Sequence, residues 1–450
     1  MSRPPHHLPR QMVFDSLILS TILMAGLIVR LLIAPAPGYE FDVGVNQGWA
    51  KSAVELGLAR SYSEQVDGNM LPNYPPFSLM IFANVGHVYK AFISPEFDKS
   101  RLEYRILIKL PAMLADLGTA LLFFFLLKQW KNKKAGFLAA AAYTFHPAVL
   151  YESAYWGQTD SIFTFFLVLA LSLFASGRMT LAGVFIAVAL FTKVQTVMLG
   201  PLFLMIALLA GWKSFLKISA GAAAGGALVL LPFFLGDTLM AVIKAMLGSV
   251  GYYSIVSSAA YNFWWMLFAD AAGSMQDTDL LFDLLSYRNI GFAIFGIANL
   301  WILFLFLKRW RPHKPSRALF YSLFAAASFL AFTFFLFSTQ MHERYLFPFI
   351  ALGLPLAFIN RRGAFLYAAI SLLFLSNLMG WLPLSFVDRA LFRTFPTLDV
   401  TIAACQFFAY IALLRYVHTL EVRVLPGHRS LVPVFVTRWK RAFKHHKRTT

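Results

Sequence analysis

The stretch FSTQMHERYLF, residues 337–347, sets His342, Glu343 and Arg344 side by side between two Phe-rich runs. Arg and His are good hydrogen-bond donors to phosphate oxygens, Arg through its planar fork of N–H groups. Three such groups at one depth in an apolar chain are costly, which favours function over a plain Arg–Glu ion pair. Two further residues offer complementary chemistry. A carboxylate at Asp42 could take a proton from an acceptor hydroxyl, although an Asp opening a helix more often caps its free amides. Lys193, beside Gln195, either snorkels to lipid headgroups or faces a phosphate.

Residues 146–161, HPAVLYESAYWGQTDS, interleave Glu152, Gln158 and Asp160 with Tyr155 and Trp156. Aromatic faces suit the C–H groups of a sugar, and amides or carboxylates suit its hydroxyls; the plainer alternative is an aromatic belt with a helix cap at Asp160. Tyr74, Pro75 and Pro76 are expected to fix a helix entry, because proline is tolerated in a first turn. Stacking of Tyr74 on a sugar would be its second role. Asn262 and Trp264, in SAAYNFWWMLF (258–268), and Glu40, two residues before Asp42, complete the candidates for sugar or acceptor contact.

Composition dictates what must position these side chains. With 59% hydrophobic residues, 47 Phe and only 13% charged residues, and a mean hydropathy of +0.66, the 450-residue chain cannot be a soluble core-and-surface protein. Long Leu/Phe/Ala runs, without the roughly 10-residue alternation of a membrane barrel, predict helical spans. The expected architecture is all-α and polytopic. About twelve transmembrane helices are expected, near 13–34, 105–129, 136–150, 160–176, 179–197, 199–211, 216–235, 287–308, 317–336, 345–360, 363–383 and 400–416. Residues 1–418 would form one transmembrane domain. Its first long loop, 35–104, would carry interfacial helices, one patterned over Val43–Leu58; a second structured loop would cover 236–286, and 419–450 would be a basic tail.

In this assignment the clusters around Lys128–Lys134, Lys213/Lys217, Lys308–Arg317 and Arg361/Arg362 share one side with the basic C-terminus, and the positive-inside rule makes that side, with both termini, cytoplasmic. Of 21 Asp and Glu, only Asp15 and Glu421 fall there, and Asp116 lies within a span. The net charge of +18 thus reads as a topology signal and not as a nucleic-acid footprint. The tail would lie on anionic headgroups or in solvent. The single cysteine, Cys405, excludes an internal disulfide and a Cys-based metal site. The first apolar run, with no small-residue cleavage site after it, is expected to be retained as a span. The polar loops would then meet on the opposite, extracytoplasmic face around one shared cavity.

Seven elements occur in order: Asp42 with Trp49 seven residues on, YPPF at 74–77, ADL at 115–117, HPAVLYESAYWGQTDS, TKVQ at 192–195, NFW at 262–264 and MHERYLFP at 341–348. Together they resemble the GT-C superfamily of integral-membrane glycosyltransferases over most of the chain. The resemblance is to endoplasmic-reticulum glucosyltransferases that use dolichyl-phosphate-glucose, and to bacterial relatives of the GPI-anchor mannosyltransferases. It implies inverting transfer of a hexose, mannose or glucose first, from a polyprenyl-phosphate-sugar donor to a lipid-linked or extracytoplasmic glycan acceptor. It assigns the general base to Asp42 and a donor-phosphate contact to His342, with Arg344 where a Lys often stands. Asn73 stands where eukaryotic members carry Asp, and Glu40 lies close enough to Asp42 to share its role. Lys193 would add positive charge where the phosphate leaves.

No Asp-x-Asp pair occurs in the first loop, so no metal or other cofactor is expected. The expected partners are the donor, a glycan or lipid-linked acceptor and membrane lipids, with no nucleic acid. The location would be a bacterial inner membrane, or the endoplasmic-reticulum membrane in a eukaryote. A transporter or flippase of lipid-linked sugars is the competing class, but it would call for internal repeats or helices broken at mid-membrane. A glycan ligase is mechanistically close and would need a larger acceptor groove than 236–286 offers.

Overall fold

The computed structural model describes residues 10–249, 251–310, 315–384, 392, 394–395 and 397–420. The expected basic tail lies outside these residues from 421 on. In chain order the helices are α1 (Arg10–Ile33), α2 (Glu40–Glu55), α3 (Pro76–Phe92), α4 (Leu102–Trp130), α5 (Lys133–Thr144), α6 (Pro147–Leu150), α7 (Asp160–Ala175), α8 (Met179–Thr192), α9 (Gly200–Leu209) and α10 (Trp212–Leu235). They continue as α11 (Leu239–Gly248), α12 (Phe263–Phe268), α13 (Tyr287–Leu305), α14 (Arg317–Phe337), α15 (Phe347–Ala357), α16 (Arg361–Trp381) and α17 (Leu398–Thr419).

Seven of these, α1, α4, α10, α13, α14, α16 and α17, are long and apolar enough to cross a membrane. The remaining expected spans are shorter. The run expected as one helix over 136–150 breaks after α5, where Pro147 removes an amide donor and restarts the chain as the single turn α6. A π-helical turn, Tyr151–Trp156, follows directly. The expected span at 179–197 stops at Lys193, whose backbone is extended, before a 3-10 turn over Val194–Leu199 leads into α9.

Burial follows the residue pattern of each helix. α14 is apolar around most of its circumference, and 94% of its apolar stretch is buried, as expected for a helix at the centre of a bundle. By contrast only 17% of the α1 window is buried, leaving Phe14, Leu17, Met24 and Leu32 exposed. α1 is nevertheless fixed by a buried ion pair: Arg30 Nε lies 3.3 Å from Asp116 Oδ2 on α4, and both side chains are fully inaccessible. Arg30 also donates to Thr144 O at 2.9 Å, and Ser153 Oγ donates to the same Asp116 oxygen at 2.5 Å. Breaking such a pair from one side typically costs about 3–5 kcal/mol. Elsewhere small residues permit close approach: a Cβ on Gly183 of α8 would strike Ile218 O of α10, and one on Gly221 would strike Thr180 O.

The two long loops are both structured. In 35–104, α2 and α3 pack on one another so closely that a Cβ on Gly86 would lie 2.7 Å from Ala50 O. α2 begins three residues earlier than the pattern at Val43–Leu58 predicts. In 236–286, Ser257–Ser258 pairs in parallel with Met341–His342, which ties this loop to the segment between α14 and α15. Residues Leu280–Leu281 and Leu285–Ser286 form a short antiparallel hairpin.

Candidate functional site

The earlier start of α2 changes what Asp42 does. The N-cap is Tyr39, which makes no side-chain cap bond, and Asp42 sits in the first turn. Its carboxylate is engaged elsewhere: Oδ2 accepts from Trp156 Nε1 at 3.1 Å and from the Gln158 side-chain amide. Asp42 therefore does not cap its helix, as the residue type alone suggested.

Trp156 and Gln158 are delivered by the π-helical turn, which Lys109 of α4 holds. Its buried ammonium donates to Ala34 O (3.1 Å), Ala36 O (2.8 Å), Ala154 O (3.1 Å) and Tyr155 O (2.9 Å). One cation thereby binds the end of α1 to the segment carrying Trp156. Gly157 closes the turn at φ +91°, a conformation that favours glycine. Tyr39 N donates to Trp156 O at 3.2 Å, so α2 starts against the same segment.

A second group gathers around Lys193. Lys193, 2% exposed, is ion-paired with Asp160 in the first turn of α7 and sits 5.1 Å from the centre of the Tyr74 ring. The pairing shows that Lys193 does not snorkel, and that Asp160 holds a cation while Thr159 occupies the cap position. Arg344 Nε lies 4.0 Å from Asp160 Oδ2, and Arg344 Nη1 donates to Glu343 Oε1 at 2.6 Å. Glu343 thus fixes the guanidinium. Burial works against its charge, yet Arg344 and His342 beside it hold its carboxyl down to about 2. Burial also opposes the Arg344 charge, but Glu343 and then Asp42 raise its pKa well above the ordinary arginine value.

His342 is pushed the other way, because burial outweighs the Glu343 carboxylate, whose Oε2 lies 3.8 Å from Nδ1, and lowers its pKa. Burial thus favours the neutral imidazole, with one ring nitrogen to donate and one to accept. Its ring packs edge-on against Tyr253 at 4.9 Å, and the parallel pairing with Ser258 sets its backbone.

One cavity connects the two groups. Asp42, Tyr74, Lys193, Gln195, His342 and Arg344 all line it, together with Asn46, Trp49, Asn73, Tyr252, Tyr253 and Tyr345. Its volume is ≈ 110 Å³, several times the ~10–15 Å³ that one water centre needs. Asn46 and Trp49 share the helical face of Asp42 at i+4 and i+7, a spacing legible in the sequence. Tyr252 and Tyr253 come from a loop without periodicity and gave no such signal.

Other candidates lie away from the cavity. Glu40 is exposed and does not line it. Glu152, Asp160 and Trp156 are at most 1% exposed and stand behind the lining. Asn262 caps α12, accepting from Trp264 N and Trp265 N at 3.1 Å, and Trp264 Nε1 donates to Phe337 O at 2.8 Å. Both side chains are buried and join the packing of α12 on α14. Neither Asn262 nor Trp264 lines the cavity.

Among the described residues no group of three His, Cys, Asp or Glu side chains could hold a metal ion. No protein-family model matches the sequence, and no curated protein matches it.

Proposed function

We propose that the chain is an inverting glycosyltransferase of the GT-C type, moving a hexose from a polyprenyl-phosphate-sugar to a hydroxyl of a glycan or lipid-linked acceptor. The observation that carries this reading is one cavity lined by a carboxylate, Asp42, by two cations, Lys193 and Arg344, and by the imidazole of His342. An acceptor hydroxyl would attack the anomeric carbon on the face opposite the phosphate. The new bond joins the acceptor oxygen to that carbon, the carbon–oxygen bond to the phosphate breaks with its electron pair on the phosphate, and the hydroxyl proton passes to Asp42. Lys193 and Arg344 are preorganised where the negative charge grows, which is the condition for electrostatic stabilisation of departure. His342 can donate to a phosphate oxygen without adding charge.

In this reading the shorter apolar helices add to the seven long ones to give about twelve spans, and the cavity opens on the extracytoplasmic face with both termini in the cytoplasm. Basic residues gathered at the opposite ends of the spans support that orientation. The test is transfer in vitro from synthetic polyprenyl-phosphate-mannose, -glucose and -arabinose. Wild type should use at least one donor with EDTA present. Asp42→Asn should lower the rate about 10²- to 10⁴-fold, and His342→Ala should weaken donor use. Full activity of Asp42→Asn with every productive donor would falsify the base assignment, and a strict need for divalent ions would refute metal-free transfer.

A further inference from the structure

Glu152 is fully buried, and among the described residues neither of its carboxylate oxygens has a hydrogen-bond donor. It does not line the cavity. The group it faces most directly is another carboxylate, Asp160, whose Oδ1 takes Lys193 and whose Oδ2 is buried without a hydrogen bond. Asp116 of α4, Tyr143 of α5 and Lys193 also face it, and Asp116 is already paired with Arg30. Two ionised carboxylates side by side in a buried site are strongly disfavoured, and a buried carboxylate without donors reverts to its acid. A proton on Glu152 gives Asp160 Oδ2 the donor it lacks and leaves only the acid's carbonyl oxygen without one.

We propose that Glu152 is a proton-bearing positioning residue, its carboxylic acid donating to Asp160, so that the cluster Glu152–Asp160–Lys193–Arg344–Glu343 carries no net charge. With Glu152 neutral, Lys193 and Arg344 balance Asp160 and Glu343; an ionised Glu152 would leave the cluster at −1, repelling any phosphate that enters beside Arg344. Burial and then Asp160 both push the Glu152 carboxyl well up, in keeping with that state. The proton site stands on the buried geometry, and only its consequence for phosphate rests on the proposed transferase reading.

Infrared difference spectroscopy of the full-length protein at pH 7 tests the proton directly. Wild type minus Glu152→Gln should show a carboxylic-acid carbonyl band that shifts in D₂O; no such band overturns the proposal. The amide of Glu152→Gln can replace the neutral donor, so its affinity for a synthetic polyprenyl phosphate should stay within about twofold of wild type. Glu152→Leu, which removes the donor, should weaken that affinity roughly tenfold. A tenfold loss in Glu152→Gln, or unchanged affinity in Glu152→Leu, overturns the role. If no sugar donor is turned over, the band still decides the proton site, so the two readings fail separately.

Discussion

Asp42 and Gln158, 116 positions apart in the sequence, meet through a hydrogen bond from the glutamine amide to the aspartate carboxylate. Trp156 donates to the same oxygen, Oδ2. Among the described residues no hydrogen bond reaches Oδ1, so the carboxylate is held by one oxygen while the other remains available to a proton. That division of labour suits a general base, which must be both fixed and unoccupied.

Removing either donor should therefore impair the chemical step more than the fold. A hydrogen bond to a charged group is worth about 1.5–3 kcal/mol, so Gln158→Leu should lower kcat roughly 10- to 100-fold with donor KM little changed. Trp156→Phe, which keeps the buried ring, should fall in the same range. The measurement is steady-state transfer kinetics beside a thermal melt in detergent; a fall in KM-limited binding alone would place Gln158 in substrate recognition instead.

Lys193 tests whether a cation serves the fold or the phosphate. Lys193→Met leaves the buried Asp160 with only the longer contact to Arg344 at 4.0 Å, and should cost up to about 3–5 kcal/mol of stability. Adding Asp160→Asn should restore most of that loss. It should not restore affinity for polyprenyl phosphate, because the charge stays absent. Melting curves and phosphate binding on the single and double variants separate the two, and recovery of both together would make Lys193 structural only.

What was legible in the sequence divides along physical lines. Apolar runs announce helices because burial and backbone satisfaction in lipid demand them, and the seven long helices follow those runs. Lys193, His342 and Arg344 stood out because charge is rare in such a chain. The π-helical turn at Tyr151–Trp156 had no pattern of its own: it exists because Pro147 restarts the helix and Lys109 gathers the carbonyls beyond it. Asn262 and Trp264 were legible by type and not by position. Polar and aromatic types suit sugars, but here their hydrogen-bonding atoms are consumed by a helix cap and a backbone carbonyl.

Lys109 should matter although it does not line the cavity. Lys109→Met withdraws the donor from four carbonyls, two after α1 and two on the turn that presents Trp156. A loss of about 3 kcal/mol is expected from unmet bonds to a charged donor. Arg105→Ala, which removes a single 3.2 Å bond to Pro35 O, should lose much less. Comparable melting shifts in both would show that Lys109 is not the main tie.

Asp277 gives the fold a definite pH dependence. Its carboxylate accepts from Arg288 at 2.9 and 2.6 Å, Thr339 at 2.9 Å and Gln340 at 2.7 Å, while Gln340 Oε1 accepts from Gly251 N at 2.8 Å. These bonds latch the segment carrying His342 to the loop carrying Tyr253. Burial opposes the charge, but the bonds from Arg288, Gln340 and Thr339 outweigh it and lower the pKa. A carboxylate with a depressed folded pKa contributes stability fully above its unfolded value, about 3.9, and loses it as pH falls through the folded value. The melting difference between wild type and Asp277→Asn should thus be constant from pH 7 down to about 5 and shrink below about 4. Because the latch sets the His342 backbone, Asp277→Asn should also weaken polyprenyl-phosphate binding at pH 7, where the difference in stability is largest. A melting difference that grew on acidification would reverse the sign and remove Asp277 as the latch.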